Sequence, residues 1–312
     1  MQPAPRPTAT ISRRSFLRRA GVAGGVGALA LGAPSVLAAC GSDPEQGDRL
    51  TLSNDLGGRQ LVGLFNYSGD YVQAGTPQRL ALTIGTPEGP PASEGPETLT
   101  VQLAREGAAV GAPITLERHS DGTPIGYYPL VTTFDEDGTW SVTTELDGRE
   151  ASQSFLVEPE GGSAILQVGA PMVPVDTPTT TDARGVDPVC TRTPACPYHD
   201  RTLAEALAGG SPVALMISTP LYCQTAVCGP VLDLVIEQAP QVPGLQVVHA
   251  EVYVAPGAGS DPATGGLTPA VTEYGLTFEP SLFVARADGT VVARLDNVFD
   301  RVELAEAFRA AV

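Results

Sequence analysis

Residues 212–238 read PVALMISTPLYCQTAVCGPVLDLVIEQ, and their pattern indicates the fold of the C-terminal part of the chain. The continuous apolar run at 213–217 is typical of a strand that is buried on both faces. At 227–238 the apolar residues form a broad stripe at helical spacing, which predicts an amphipathic helix. Cys223 and Cys228 stand between these two elements. The stretch therefore predicts a buried strand that leads through a pair of cysteines into a helix.

The sequence on both sides continues the alternation of helices and strands. Thr202 and Glu205 have the spacing of a capping box and open a short helix that stops at Gly209. Asp300 and Glu303 have the same spacing and open a final helix that reaches residue 311. The remaining elements are predicted as a strand at 245–253, a helix from 268, and a hairpin of strands 280–287 and 290–294.

This order of elements, over residues 187–312, resembles the thioredoxin family. The resemblance implies an α/β fold in which helices flank a mixed sheet. It rests also on the cysteines at a helix start and on the segment Phe278-Glu279-Pro280-Ser281, which resembles the family's cis-proline loop. In this family the cis proline lies beside the reactive cysteine. We therefore expect the bond before Pro280 to be cis.

The resemblance implies thiol–disulfide exchange, with Cys223 as the nucleophile, Cys228 as the resolving thiol and Pro280 shaping the site. A helix start suits the nucleophile, because the free N–H groups and the helix dipole stabilise a thiolate. The motif departs from the family pattern, because four residues separate the cysteines instead of two and Tyr222 replaces the usual tryptophan. In addition, Glu279 precedes the proline, and a carboxylate close to Cys223 would raise the pKa of its thiol.

Two other functions fit the same pair of cysteines. The C-x4-C spacing also resembles the atypical two-cysteine peroxiredoxins, which implies a thiol peroxidase. The positions of that family's proline and threonine are held here by Met216 and Pro220. Alternatively, Cys223 and Cys228 form a static disulfide in a non-enzymatic binding or scaffold lipoprotein.

A second pair of cysteines, Cys190 and Cys196, precedes the first helix. Five intervening residues that include a proline predict a small disulfide loop. Two alternatives stay open: a second dithiol that exchanges with the first pair, or soft metal ligands formed by both cysteines with His199. The metal option lacks a fourth ligand at a diagnostic spacing, and His249, within an apolar strand, is expected to be a core residue. All three pairings of four cysteines remain possible.

The N-terminal part of the chain has a different pattern. Residues 49–158 contain several short apolar or alternating runs, separated by Gly, Pro and Asp, which predict an antiparallel β-sandwich. The closing hairpin at 138–157 resembles the end of bacterial immunoglobulin-like domains. Residues 159–186 are rich in Pro, Gly and Thr, a composition that we expect to hold no core and to form a linker. The predicted fold is therefore multidomain, with an immunoglobulin-like sandwich at 49–158 followed by a thioredoxin-like domain at 187–312.

Residues 1–39 have the layout of a secretory signal, because an arginine-rich start precedes a short apolar stretch. The segment 12–17, SRRSFL, resembles the twin-arginine export signal. The sequence Leu-Ala-Ala-Cys that ends at Cys40 resembles a lipoprotein cleavage box. The resemblance implies that Cys40 becomes the lipidated first residue, with 40–48 as a tether. We expect a lipid-anchored protein on the extracytoplasmic face of the cell membrane, where disulfides persist.

Charge and composition exclude several classes of function. The formal net charge is −17, and cleavage before Cys40 would leave 13 arginines against 35 acidic residues, a net charge of −22. A chain this acidic repels phosphate backbones, so we expect no nucleic-acid partner. The chain has no lysine, which excludes Schiff-base chemistry and phosphate loops of the GK[ST] type. The expected partners are exported thiol or disulfide proteins, and the exchange needs no metal or organic cofactor.

Overall fold

The computed structural model describes residues 59–65, 71–85, 94–146, 148–222, 227–255 and 265–312. The predicted signal peptide at 1–39, the tether at 40–48 with Cys40, and Cys223 lie outside these residues. Within the described ranges the chain is mainly β, with few helices. None of the helices in these ranges is long and apolar enough to cross a membrane.

The described residues of the N-terminal part form strands and no helix. They are β1 (Gln60–Gly63), β2 (Val72–Gln73), β3 (Pro77–Gly85), β4 (Thr98–Arg105), β5 (Ala108–Glu117), β6 (Tyr128–Thr133), β7 (Gly138–Leu146) and β8 (Arg149–Glu158). One sheet has the order β1-β3-β6 and the other has the order β2-β8-β7-β4-β5. The β2–β8 pair is parallel and the other pairs in these two sheets are antiparallel. The predicted all-β character of this part is confirmed.

The two sheets share one buried cluster of side chains. Burial alternates along β7, which places every second residue of the strand, including Trp140, in the interior. The ring of Trp140 packs edge-on against Phe134 at 4.9 Å, and Phe134 packs in the same manner against Phe155 of β8 at 5.6 Å. Leu80 of β3, in the other sheet, belongs to the same cluster. Alternating apolar residues on both sheets therefore form the core between them.

The C-terminal part alternates helices with strands. Its elements are α1 (Leu203–Ala208), β9 (Val213–Ile217), α2 (Cys228–Gln238), a 3-10 turn (Ala239–Gln241), β10 (Gln246–Ala250), α3 (Pro269–Glu273), β11 (Ser281–Ala285), β12 (Val291–Asp296) and α4 (Arg301–Arg309). The sheet order is β10-β9-β11-β12, in which β9 and β10 are parallel and the other pairs are antiparallel. All five residues of β9 are buried, as its continuous apolar sequence predicted.

The local signals at the ends of helices are confirmed. The Thr202 hydroxyl accepts a hydrogen bond from the Glu205 N–H at 3.0 Å, and the Glu205 carboxylate accepts one from the Thr202 N–H at 2.9 Å. Asp300 caps α4 by accepting hydrogen bonds from two N–H groups of its first turn. The strand predicted at 245–253 ends earlier, at Ala250, because the Val252 N–H bonds to the Thr219 hydroxyl instead of continuing the ladder.

The segment 159–186, predicted as a linker without a core, has neither helix nor strand but is packed. Ile165, Met172 and Val175 are buried and belong to the cluster that also contains side chains of both flanking parts. The expectation that its composition cannot hold a core is wrong, because scattered apolar side chains suffice when two sheets already provide the surface they cover. The described residues from 59 onward accordingly belong to one compact unit.

A buried ion pair joins β3 to α4. The Arg79 guanidinium donates to both carboxylate oxygens of Glu303, at 2.8 and 2.7 Å, and also to the carbonyl oxygens of Asp296 and Val298. The Tyr127 hydroxyl donates to the same carboxylate. Burial disfavours both charges, but each partner outweighs burial, so the pKa of Arg79 is raised and that of Glu303 is lowered. The pair therefore stays ionised in the interior and links the two parts of the chain.

Candidate functional site

Cys228, predicted as the resolving thiol, lies at the N-terminus of α2. It is the first residue of the helix, is fully buried and is disulfide-bonded. Cys223, predicted as the nucleophile, lies outside the described residues. Segment 218–222 leads from the end of β9 toward this helix and begins with a turn closed by the Tyr222 N–H and the Thr219 carbonyl, at 3.1 Å. The buried strand, the cysteine and the helix thus follow one another as the sequence predicted.

The bond between Glu279 and Pro280 is cis, which confirms the prediction for this loop. The Glu279 carboxylate accepts a short hydrogen bond from the Thr219 N–H, and its Oε2 lies 3.7 Å from the Cys228 sulfur. Burial raises the pKa of Glu279 to about 7, although the Thr219 N–H opposes this rise. A carboxyl that gains and loses a proton near neutral pH therefore lies beside one sulfur of a disulfide.

Four potential metal ligands lie close together next to segment 218–222. Cys190, Cys196 and His199 precede α1, and His249 lies in β10. The Cys196 sulfur lies 3.3 Å from Nε2 of His199 and 3.4 Å from Nδ1 of His249, and these two nitrogens are 3.1 Å apart. The Cys190 sulfur lies 3.9 Å from Nδ1 of His249, and all four ligand atoms lie within 4.8 Å of one another.

The disulfide predicted between Cys190 and Cys196 is not formed in the structure, where both residues are free thiols. Their sulfurs face the two imidazoles, and the thiols interact directly. The hydrogen bond with Cys196 lowers the pKa of Cys190, and the same bond raises the pKa of Cys196, because one proton is shared between two sulfurs. The pair is thus arranged to carry negative charge on one sulfur.

His249 is the potential ligand that the sequence analysis did not include. It is completely buried, as expected for a core residue, but its Nδ1 faces the sulfurs. Its Nε2 lies 3.0 Å from the carbonyl oxygen of Ser218, an acceptor, which assigns the ring proton to Nε2 and leaves a lone pair on Nδ1. Burial lowers the pKa of His249, which keeps the ring neutral. The available signal was a histidine within the apolar run Val247-Val248-His249-Ala250.

Segment 218–222 lies between the two groups and contacts both. Ser218 bonds to His249, and Thr219 bonds to Glu279. The Leu221 N–H donates to the hydroxyl of Thr191, which is adjacent to Cys190, at 3.2 Å. The segment between β9 and α2 therefore positions the disulfide region relative to the Cys/His cluster.

A second group of potential ligands is already occupied. His119, Asp300 and Glu303 lie close together. Asp300 accepts from the N-terminus of α4 and lies 3.1 Å from Nδ1 of His119, while Glu303 binds Arg79. These carboxylates hold the two parts of the chain together, so the group has a structural role.

Comparisons with known proteins give no family. Neither a protein-family model nor a curated protein matches the chain. A crystal form of titin domain M4 is similar at 13% identity over 33% of this chain and 95% of that chain, with a TM-score of 0.21. A chimeric titin Z1Z2 matches at 17% identity over 33% and 47%, with a TM-score of 0.21. Superoxide reductase (neelaredoxin) from Ignicoccus hospitalis matches at 12% identity over 33% and 80%, also with a TM-score of 0.21.

Proposed function

We propose that the chain is a membrane-anchored, extracytoplasmic thiol–disulfide oxidoreductase that exchanges disulfides through Cys223 and Cys228. The observation that carries this proposal is the position of Cys228. It is disulfide-bonded at the start of a helix that follows a buried strand, and it lies beside the carboxyl that precedes the cis Pro280. A cysteine pair at a helix start next to a cis proline is the arrangement that the thioredoxin resemblance implies.

The topology of both parts supports the proposed domains. In the C-terminal sheet, the parallel β9–β10 pair followed by the antiparallel β11–β12 hairpin agrees with a thioredoxin-like fold at 187–312. In the N-terminal part, two sheets around one core, with a parallel β2–β8 pair at the edge of the larger sheet, agree with an immunoglobulin-like sandwich at 49–158. The sandwich would project the redox domain from the membrane.

The proposed location rests on the sequence of the leader. Twin-arginine export followed by lipidation of Cys40 would place the mature chain on the extracytoplasmic face of the cell membrane. The net charge of −22 would not attract the chain to an anionic membrane, so the lipid holds it there. Exported thiol or disulfide proteins are the proposed partners.

The proposed exchange has two steps. The Cys223 thiolate attacks a substrate disulfide, which forms a mixed disulfide and releases one substrate sulfur as a thiolate. The Cys228 thiol then gives its proton to the Glu279 carboxylate and attacks the Cys223 sulfur, which releases the second substrate thiolate. Both released thiolates take protons from solvent, and two electrons pass from the cysteine pair to the substrate. The reverse sequence oxidises a substrate dithiol, with Glu279 returning the proton to Cys228.

Trapping of mixed disulfides tests the two roles. In Cys228→Ser the second step is blocked, so Cys223 should stay bonded to substrate proteins, whereas Cys223→Ser should trap few or none. Non-reducing electrophoresis of membrane fractions measures the trapped complexes. Cys190→Ser is the matched control and should trap no more than the wild type. Equal trapping by Cys223→Ser and Cys228→Ser would contradict the proposal.

The reduction potential of the Cys223–Cys228 disulfide separates exchange from a static bond. A potential above about −300 mV marks an exchanging disulfide, and a lower value would favour a scaffold lipoprotein. Rapid conversion of Cys223 to a sulfenic acid by hydrogen peroxide in Cys228→Ser would instead favour the peroxidase function.

A further inference from the structure

We propose that Cys190, Cys196, His199 and His249 form a tetrahedral zinc site, which fastens the segment before α1 to β10. Zinc–sulfur bonds of about 2.3 Å and zinc–nitrogen bonds of about 2.0–2.1 Å put the ligand atoms of a tetrahedron about 3.3–3.8 Å apart. Four of the six observed separations are 3.1, 3.3, 3.4 and 3.9 Å, and all six lie within 4.8 Å. The four ligand atoms are therefore close enough together for one zinc ion to bind them all.

The chemistry of the four groups favours zinc over harder cations. Two sulfurs and two imidazole nitrogens are the donors that zinc takes in closed, four-coordinate sites, whereas Mg²⁺ and Ca²⁺ require oxygen. Two thiolates balance the charge of Zn²⁺, so the occupied centre is neutral. A neutral centre suits this position, since Cys196, His199 and His249 are all buried. Binding releases the remaining thiol protons to solvent.

Contacts around the ligands hold two of them in a binding orientation. The Ser218 carbonyl oxygen, 3.0 Å from Nε2 of His249, turns Nδ1 toward the centre. The Cys196 N–H donates to the Cys190 sulfur at 3.4 Å, a contact that stabilises a thiolate. Cys190 is the one partly exposed ligand, which gives the ion a path from solvent. Four protein ligands leave no open position, so the ion is structural and does not take part in the exchange chemistry.

Zinc content and cobalt spectra of the purified full chain test the site. The wild type should retain one zinc per chain, measured by mass spectrometry of the metal. Replacement by Co²⁺ should give sulfur-to-cobalt charge-transfer bands and the intense visible bands of a tetrahedral centre. Cys190→Ser and His249→Gln should lower zinc affinity by more than the roughly 10–100-fold loss that follows mutation of residues that only contact the metal ligands. A chelator competition assay measures this loss.

Two controls keep the result interpretable. Cys228→Ser and His119→Gln alter a cysteine and a histidine outside the cluster and should keep one zinc per chain. Cys190→Ser changes the most exposed ligand, and its circular dichroism reports whether the fold survives. After removal of bound metal with a chelator, addition of zinc should raise the melting temperature of the wild type but not that of Cys190→Ser.

Three outcomes would overturn the proposal. The first is a wild-type chain without zinc in which peptide mapping finds a Cys190–Cys196 disulfide. The second is a chain that takes up Cu⁺ but not Zn²⁺, and the third is retention of zinc by both ligand variants. Mixed-disulfide trapping by Cys228→Ser is measured separately, so failure of the zinc site and failure of the exchange function are distinguishable.

Discussion

Arg79→Met should lower the free energy of unfolding by about 3–5 kcal/mol, because it leaves the Glu303 carboxylate buried without its partner. In the wild type, Glu303 receives two hydrogen bonds from Arg79 and one from Tyr127, and both members of the ion pair are nearly inaccessible to solvent. Urea unfolding monitored by fluorescence of Trp140, the only tryptophan, measures the change. Because the pair links β3 to α4, the loss should destabilise both parts of the chain.

Two further variants show whether the loss of stability comes from the buried Glu303 charge that is left without a partner. Arg105→Met removes a surface ion pair with Glu136, in which the two side chains are 32% and 65% exposed, and should cost only about 0–1 kcal/mol. The double variant Arg79→Met/Glu303→Leu removes both charges and should recover much of the lost stability. If Arg79→Met lowers the free energy of unfolding no more than Arg105→Met does, the buried ion pair does not stabilise the contact between the two parts.

Glu279→Gln should make the folded protein more stable than the wild type at pH 8, by up to about 3 kcal/mol, and should give no such gain near pH 4. Burial raises the pKa of Glu279 from 4.5 to about 7, so the folded protein holds this proton more tightly than the unfolded chain does. The stability from this group is complete below pH 4.5 and is lost as the pH rises through 7. Glutamine does not ionise, and its amide oxygen can still accept the hydrogen bond from the Thr219 N–H.

Urea unfolding of the disulfide-intact proteins at pH 5 and pH 8 measures this difference. Glu117→Gln is the matched control, because Glu117 is exposed on β5 and folding does not transfer its side chain out of water. The same variant also tests the proposed proton transfer: Glu279→Gln should slow release of the mixed disulfide and remove the pH dependence of that step near pH 7. If the stability difference between Glu279→Gln and the wild type is the same at pH 5 and at pH 8, Glu279 ionises as freely as a surface carboxyl.

Features that depend on neighbours in the chain were predicted from the sequence. The capping box of Thr202 and Glu205, the Asp300 cap and the hairpin before β12 are confirmed, because side-chain hydrogen bonds and turn preferences act over a few residues. The continuous apolar sequence of β9 predicted its complete burial. The cis bond before Pro280 was predicted from a family resemblance and not from local propensity.

Features that depend on distant residues were missed or misjudged. The sequence predicted His249 as a core residue because it stands in an apolar run, and fifty positions separate it from His199. The segment that carries Cys196 and His199 lies along β10, where the His249 N–H donates to the Tyr198 carbonyl oxygen. The disulfide predicted between Cys190 and Cys196 followed from their spacing, which carries no information about imidazoles approaching from another strand. Segment 159–186 was judged by composition, whereas its burial depends on the surfaces that flank it.

Local sequence patterns were sufficient to predict the order of the elements, the placement of Cys228 at a helix start and the acidic character of the chain. Only the packing of distant elements brings Arg79 to Glu303 and Glu279 to Cys228, and places two cysteines and two histidines close together. The difference arises from the distance along the chain between the residues that interact. Caps, turns and buried strands reflect forces between near neighbours, but a buried charge or ligand needs a partner that only the packing of separate elements can supply.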